Sequence, residues 1–385
     1  MQAFRTRIRS QLEQRRENQL NRQLNVVTRG NQLMIEQHGD LWVNFSSNNY
    51  LGLANDSSLI EAWQNGLTLF GAGSSASSLV TGFSTPHLML EHQLCDWLGY
   101  ERAILFNSGF SANQAMLFTL LEKGDRLLQD KLNHASLIEA GMLSSASMTR
   151  FKHNDVQDLN RKLHRENTPA FIVTEGVFSM DGDCAPLSDI ALQIRDGDLW
   201  AVDDAHGLGV MEGEGRGSCA AAQVKPDLLI ATFGKALGMS GAAIMCNAEL
   251  GEYLTQCARH HVYSTAMPPA QAYALSHAIT LVQTQQWRRD RLDELSEHFH
   301  HRFRQFSGCV ETTTPIKPVI LGDAESALNC AQFMRENGQW VSAIRPPTVA
   351  KGTARIRITL TALHQPTHID ALAQKFEQWM DVYHG

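Results

Sequence analysis

The chain has 385 residues, of which 43% are hydrophobic and 19% are charged, and its formal net charge is −7. This length predicts two domains, while the acidic balance and apolar runs far shorter than the ~20 residues of a bilayer span argue against nucleic acid or a membrane as partner. Seven cysteines without a CxxC pair argue against a disulfide framework or a metal site and favour a reducing, cytoplasmic compartment.

The N-terminal segment predicts a helix rather than a secretory signal, because it contains no apolar run of sufficient length. Phe4, Ile8 and Leu12 are spaced four residues apart, which is typical of an amphipathic helix docked on the body of a protein. We therefore expect residues 1–45 to form a helix followed by an arm.

Short apolar strands alternate with helices from about residue 87. The predicted strands are RAILFN, DRLLQD, AFIVTEG, LWAVDDAH, PDLLIATFG and GAAIMC, and the predicted helices are HLMLEHQLCDWLGY, SANQAMLFTLL, HASLIEAGML and LSDIALQIRD. This alternation predicts an α/β fold whose large domain, residues 46–276, holds a mainly parallel, doubly wound sheet.

The pattern restarts after a long helical stretch around residues 269–306. The segments KPVIL, WVSAIRP and ARIRITLTA predict strands, with helices at 325–336 and 366–380 beside them. Together they indicate a smaller C-terminal α+β domain over residues 277–385.

A lysine and an aspartate follow two consecutive predicted strands, at the sheet edge where open α/β folds bind ligands. Lys235 lies among small and apolar residues, where a desolvated amine has a lowered pKa and can form a Schiff base. Asp203 could hold a pyridine nitrogen protonated, and His206 could reach the oxygen of such a ring. Lysine and aspartate in these roles are the signature of pyridoxal phosphate enzymes. The alternatives are a surface lysine in a turn and an aspartate that caps a helix.

Three further segments could complete such a site. Gly109 and Phe110 open a predicted helix, whose free N–H groups could bind a phosphate, although glycine is common in such turns. His134 follows a strand and could stack on a flat ring, or it is a packed loop residue. Glu175 and Ser179 lie in a polar turn that is also typical of helix capping.

Several blocks together carry a family resemblance. VTEGVFSMDGD, VDDAHGLGV, GRGS, TFGKALG, YSTAMPPA and AIRPPTVAKGTARIRITLTALH resemble the α-oxoamine synthases, pyridoxal phosphate enzymes of aminotransferase fold type I. The resemblance runs from about Arg22 to the last residue and implies a homodimer with shared active sites. AIRPPTV is most similar to the members of biotin biosynthesis, which condense L-alanine with pimeloyl-CoA or a pimeloyl-carrier protein.

The resemblance also implies a role for each matching residue. Lys235 would form the Schiff base, Asp203 would pair with the pyridinium nitrogen, and His134 would stack on the ring; these are the expected catalytic residues. The other expected cofactor-binding residues are Gly109, Phe110, Ser179, His206, Thr232 and Thr265. The expected substrate-binding residues are Arg22 for the acyl group, Arg345 for the amino acid carboxylate, and Thr348 and His134 beside them.

Two departures and three alternatives accompany this interpretation. GAGSSASSLVTG replaces a run of glycine and serine that the family has, and Leu208 replaces a small residue. A sister synthase that uses glycine, such as glycine C-acetyltransferase or 5-aminolevulinate synthase, is disfavoured by AIRPPTV. A catalytically silent partner subunit is disfavoured by the joint presence of Lys235, Asp203 and His134. A nucleotide-dependent oxidoreductase is disfavoured because no GxGxxG follows an early strand.

Overall fold

The computed structural model describes residues 2–18, 20–30 and 32–383. The helices are α1 Gln2–Glu17, α2 Ser57–Phe70, α3 Thr85–Leu98, α4 Gly109–Leu120, α5 Ala135–Leu143, α6 Val156–Leu163, α7 Leu187–Ala191, α8 Ser218–Ala221, α9 Ala248–Cys257, α10 Arg259–Val262, α11 Pro269–Thr284, α12 Trp287–Phe303, α13 Ala324–Glu336 and α14 Pro366–Tyr383. The strands are β1 Met34–Gln37, β2 Asp40–Asn44, β3 Arg102–Phe106, β4 Arg126–Asp130, β5 Ser147–Phe151, β6 Ala170–Glu175, β7 Leu199–Asp203, β8 Leu228–Thr232, β9 Ala242–Cys246, β10 Ile316–Gly322, β11 Gln339–Trp340, β12 Ser342–Ile344 and β13 Ala354–Thr359.

A seven-stranded sheet with the order β3-β9-β8-β7-β6-β4-β5 forms the centre of the molecule. Neighbours from β8 to β5 pair in parallel, and only β9 runs antiparallel to both of its neighbours. Every residue of β4, β6, β8 and β9 is buried, as expected for strands covered by helices on both faces. The predicted mainly parallel α/β sheet is confirmed.

Alternate residues of each central strand pack on opposite faces of this sheet. In β8, Leu228 and Ile230 pack in the apolar layer that includes residues of α4 and α5, whereas Leu229 and Ala231 pack in the larger layer on the other face. Because successive side chains of a strand point to opposite faces, each central strand contributes to both apolar layers. The carboxyl ends of the parallel strands lie together at one edge of the sheet.

Two small sheets complete the fold, with the orders β1-β2-β11 and β10-β13-β12. The antiparallel sheet of β10, β12 and β13 contacts α13, which matches the predicted smaller α+β region. The predicted boundary between residues 276 and 277 falls within α11. The division into residues 1–45, 46–276 and 277–385 stays a prediction.

The structure differs from the sequence predictions at several places, and three of them are informative. Strand β5 was not predicted, because it lies at the sheet edge and its mostly exposed, polar side chains lack an apolar run. Helix α7 ends at Ala191, earlier than its pattern indicates. Helix α1 forms, but Phe4, Ile8 and Leu12 are 62%, 56% and 50% exposed, so its predicted docking is wrong for a single chain. Within the described ranges, no helix has the length and apolarity to cross a membrane.

Candidate active site

Three polar residues occupy the last positions of three neighbouring parallel strands. Glu175 ends β6, Asp203 ends β7 and Thr232 ends β8. Glu175 is the register partner of Asp203, which in turn pairs with Ile230 of β8. The sequence prediction that these segments converge is therefore realised at the carboxyl edge of the sheet.

Lys235 lies three residues beyond β8 and points its amine back toward the strand end. Its Nζ donates a hydrogen bond of 3.3 Å to Oγ1 of Thr232. Burial lowers the pKa of Lys235 and the charge of Arg357 lowers it further, against the opposing charges of Asp203 and Glu175. The site thus favours a neutral, nucleophilic amine more than solvent does.

Asp203 is buried, at 4% exposure, and it is held by neutral donors. Its Oδ2 accepts from Nδ2 of Asn113 at 2.7 Å, and its Oδ1 accepts from the backbone N–H of Ala205 at 3.1 Å. A buried carboxylate held by uncharged donors is suited to a protonated ring nitrogen, which supplies the missing positive charge. Asp203 therefore fits the ring-nitrogen role of a pyridoxal phosphate site.

His206 follows Asp203 by three residues and is buried against a tyrosine. The hydroxyl of Tyr50 lies 2.6 Å from Nδ1 of His206. Burial lowers the pKa of His206 well below its usual value, and the charges of Lys235 and Arg357 act in the same direction. Burial raises the pKa of Tyr50 to about 12, although the nearby Arg357 lowers it. A protonated phenol that donates to Nδ1 leaves the proton of a neutral His206 on Nε2.

The first turn of α4 lies against the end of β8. A Cβ at Gly109 would lie 2.7 Å from Cγ2 of Thr232, so only glycine allows this close approach. Ser108 caps the helix by accepting from the N–H of Ser111 at 3.1 Å. The N–H groups of Gly109 and Phe110 precede the first backbone hydrogen bond of the helix, from Ala112 to Ser108, which suits a phosphate. Phe110, also in this turn, is 40% exposed.

The β13 strand of the small region reaches the turn that contains Ser179. Nε of Arg357 donates to the carbonyl of Ser179 at 2.6 Å, and its Nη2 donates to Oδ1 of Asn48 at 3.1 Å. Arg355 pairs with Asp181 in the same turn. These contacts hold the Ser179 turn between the large sheet and the small region.

The remaining predicted residues lie on other segments of the chain. Arg345 follows β12, and its carbonyl accepts from the N–H of Thr348 at 3.0 Å. The carbonyl of Thr265 accepts from Asn107 at 2.9 Å, two residues before Gly109. Arg22 lies exposed in the segment that follows α1. The structure brings Lys235, Asp203 and Thr232 to one edge of the sheet with Gly109 beside them, and the roles of all predicted site residues stay predictions.

Sequence reasoning missed the polar residues that support the site. Tyr50, Asn113, Ser136 and Arg357 bond to predicted site residues or to their backbone. Asn113 is the fifth residue of α4 and Ser136 is the second residue of α5, and a polar residue among apolar helix neighbours is the one available signal. Nothing in the sequence identifies the side chain that each of them contacts.

Comparison with known proteins agrees with this geometry. The family "aminotransferase class I and II" matches residues 41–376. An 8-amino-7-oxononanoate synthase of Vibrio campbellii is 60% identical over 379 residues, which cover 98% of this chain and 99% of that relative. The solved serine palmitoyltransferase from S. paucimobilis with bound PLP–myriocin aldimine has a TM-score of 0.88 at 28% identity, covering 93% of this chain and 92% of that one. An 8-amino-7-oxononanoate synthase from Francisella tularensis has a TM-score of 0.78 at 30% identity, covering 89% and 99%.

Fold and site define a pyridoxal phosphate enzyme of fold type I, so the expected cofactor and fold class are confirmed. The sequence identity and coverage of the relatives identify one family within this class of enzymes. The chain belongs to the family of the 8-amino-7-oxononanoate synthases, within the aminotransferases of class I and II. The resemblance predicted from the sequence blocks is thereby confirmed.

Proposed function

We propose that this chain is an acyltransferase of biotin biosynthesis. It condenses L-alanine with pimeloyl-CoA, or with a pimeloyl-carrier protein, and yields 8-amino-7-oxononanoate, the free thiol carrier and CO₂. The observation that carries the proposal is the buried amine of Lys235, whose pKa is lowered and which lies near Asp203 at the ends of adjacent strands. The chain is also 60% identical to a relative named 8-amino-7-oxononanoate synthase.

The residues at the sheet edge fit pyridoxal phosphate. When bound, this cofactor supplies an electron sink for negative charge that develops at the α-carbon of the amino acid. Asp203 would hold the proton on the ring nitrogen, and Nε2 of His206 would donate to the ring oxygen. The N–H groups of Gly109 and Phe110 would bind the phosphate, and Ser179, Thr232 and Thr265 would complete the cofactor site.

Lys235 moves the proton of the reaction. Its Nζ can accept the α-proton only when neutral, and burial lowers the pKa of Lys235 in that direction. Thr232, whose Oγ1 lies 3.3 Å from Nζ, keeps the amine at the strand end when it is not bonded elsewhere. The same amine can return a proton once CO₂ has left.

Arg345 and its neighbours bind the two substrates. The planar guanidinium of Arg345 would hold the carboxylate of L-alanine through two parallel hydrogen bonds. Thr348 lies one turn further along that segment, and His134 would face the amino acid across the ring. Arg22 would contact the acyl group.

We also infer a homodimer in the cytoplasm. Val80 and Tyr263 are 73% and 77% exposed, next to the Ser77–Thr265 bridge, and apolar side chains so exposed favour contact with a second copy. All seven cysteines are free thiols, as is usual in a reducing compartment.

The test compares amino acids and thioesters. Purified holoenzyme receives L-alanine, glycine or L-serine, each with pimeloyl-CoA or acetyl-CoA, and product mass and thiol release are measured. We expect L-alanine with pimeloyl-CoA to give the highest kcat/KM. Faster turnover of glycine with acetyl-CoA would contradict this function and would indicate a sister synthase that uses glycine.

A further inference from the structure

Two polar residues outside the predicted site connect Asp203 to His134. Nδ2 of Asn113 lies 2.7 Å from Oδ2 of Asp203 and 2.9 Å from Oγ of Ser136. Oγ of Ser136 lies 2.8 Å from Nδ1 of His134. Asn113 is 1% exposed and Ser136 is fully buried, so water cannot replace either partner. We call these two residues the Asn113–Ser136 bridge.

The carboxylate of Asp203 and the backbone N–H of Ser136 decide which atoms of the bridge donate. A carboxylate accepts and does not donate, so Asn113 gives one amide hydrogen to Asp203 and the other to Ser136. The Ser136 oxygen has thereby accepted a hydrogen bond, and the hydroxyl keeps its own hydrogen for an acceptor such as Nδ1 of His134. The backbone N–H of Ser136 lies 3.3 Å from the same Nδ1. A backbone N–H only donates, so Nδ1 is an acceptor and the proton of a neutral His134 belongs on Nε2.

The charged groups around His134 are consistent with a neutral imidazole. Burial lowers the pKa of His134, and the charge of Lys235 acts in the same direction, whereas Asp203 raises it. A positive charge on His134 would lower the pKa of the neighbouring His206, so the two rings disfavour each other's protonation, and the carboxyl of Glu175 accepts from the backbone N–H of His134. Phe110, which meets the ring edge-on at 6.4 Å, adds no charge.

We propose that Asn113 and Ser136 are positioning residues, which hold His134 as the neutral Nε2–H tautomer and tie its ring orientation to Asp203. The inference rests on the proposed function, in which His134 stacks on the cofactor. A neutral ring stacks on a protonated pyridine without repulsion, whereas an imidazolium would repel it. By keeping His134 neutral, the hydroxyl of Ser136 thus preserves both cofactor binding and turnover at low pH.

Ser136→Ala removes the donor and leaves Nδ1 able to take a proton. The matched control is Ser144→Ala at the other end of α5, where the hydroxyl bonds only to the carbonyl of Gly141 at 2.9 Å. Two quantities are measured against pH for the wild type and both variants: the Kd of the apoprotein for pyridoxal phosphate, and kcat and KM of the holoenzyme.

We expect Ser136→Ala to move the acidic limb of kcat upward by about one pH unit, since a hydrogen bond to the neutral form of a group disfavours its charged form. Its Kd for the cofactor should rise roughly tenfold near pH 6, which corresponds to one such unit, and little at about pH 8. Ser144→Ala should follow the wild type. A loss equal at every pH, or unchanged profiles, would overturn the proposal.

A second variant, Asn113→Ala, tests the proposal if Ser136→Ala does not fold. Asn113→Ala keeps the hydroxyl of Ser136 but removes the amide that orients it, so the acidic limb should move in the same direction by a smaller amount. A shift in the opposite direction counts against the bridge. The cofactor titration does not require turnover, so a wild type that binds the cofactor but does not condense alanine would end the proposed function and still test the bridge.

Discussion

Ionisable side chains at the carboxyl ends of β6, β7 and β8 have environments unlike those of surface groups. Burial raises the pKa of Glu175 well above its usual value, and the charge of Asp203 adds to that rise. Burial has the opposite effect on the cation Lys235, whose pKa is lowered. One cause, desolvation, therefore favours a neutral acid and a neutral amine at the same strand edge.

Lys235→Ala tests the role of the amine directly. The variant should bind pyridoxal phosphate without a covalent bond, and its turnover should fall by at least ~10²-fold, the lower range for loss of a proton-transferring group. Reduction with borohydride followed by mass spectrometry of peptides measures the bond. Lys225→Ala, at an exposed lysine, serves as control. Retention of the covalent bond in Lys235→Ala would show that another lysine forms the linkage to the cofactor.

Tyr50→Phe tests whether a phenol fixes the tautomer of His206. The variant loses the donor that lies 2.6 Å from Nδ1, and we expect kcat to fall about five- to tenfold, the worth of one buried hydrogen bond. The absorbance maximum of the bound cofactor should shift as well. Tyr100→Phe is the matched control, because that buried hydroxyl donates to the carbonyl of Pro226 at 3.0 Å. Equal effects of both changes would indicate a general loss of stability.

At the scale of elements, a histidine joins the loops that follow two strands of the sheet. Nδ1 of His153 lies 3.0 Å from Oδ1 of Asp130, the last residue of β4, and Nε2 lies 2.7 Å from Oδ2 of Asp183. Asp130 also accepts from the N–H of Leu132 at 2.7 Å, in the turn that leads to His134. With a carboxylate at each nitrogen, His153 must donate from both and is an imidazolium.

His153→Gln should destabilise the protein in a pH-dependent way. Burial alone would lower the pKa of His153, but hydrogen bonds to Asp130 and Asp183 and their charges raise it to about 10. Because this pKa lies above the ~6.5 of an unfolded histidine, the contribution is complete below about pH 6.5 and is lost as pH rises to about 10. Thermal unfolding should show a Tm lower by ~2 °C or more near pH 6 and almost unchanged near pH 10.

The control for this prediction is His164→Gln, because His164 is exposed and its Nδ1 contacts only the carbonyl of Asn160, at 3.0 Å. Its unfolding temperature should follow that of the wild type at both pH values. A Tm difference for His153→Gln that is larger at high pH than at low pH would contradict the charged bridge.

Several elements could be predicted from the sequence because their apolar runs end in polar residues. The runs that form β7 and β8 end at Asp203 and Thr232, so strand and site were predicted together. The supporting bonds could not be predicted, because they join distant segments: Tyr50 and His206 are 156 residues apart, and Asn113 and Asp203 are 90 apart. Their pairing is decided by tertiary packing rather than by local pattern.

At the scale of the whole molecule, exposed apolar side chains collect beside the site. Leu79, Val80 and Phe83 are 48%, 73% and 39% exposed, and Ser77 of the same segment bridges to Thr265. This segment belongs to the GAGSSASSLVTG loop, in which Ser75 has a φ of 60°. The loop therefore keeps a left-handed position without glycine there and presents an apolar surface suited to a second copy.

Val80→Asp should weaken the homodimer, because a carboxylate would be buried in the proposed contact. Sedimentation velocity should show a dimer for the wild type and a larger monomer fraction for the variant, together with weaker cofactor binding. Leu192→Asp changes a side chain that is 80% exposed and should leave the dimer intact. A monomeric wild type with full activity would contradict the shared-site assignment.

The central claim is that this site joins alanine to a pimeloyl thioester with loss of the alanine carboxyl group. The most direct measurement supplies holoenzyme with pimeloyl-CoA and L-alanine carrying an isotopic label at the carboxyl carbon, and follows the label and the product mass together. We expect one labelled CO₂ and one free CoA for each unlabelled 8-amino-7-oxononanoate formed. Label retained in the product, or CoA released without CO₂, would contradict it.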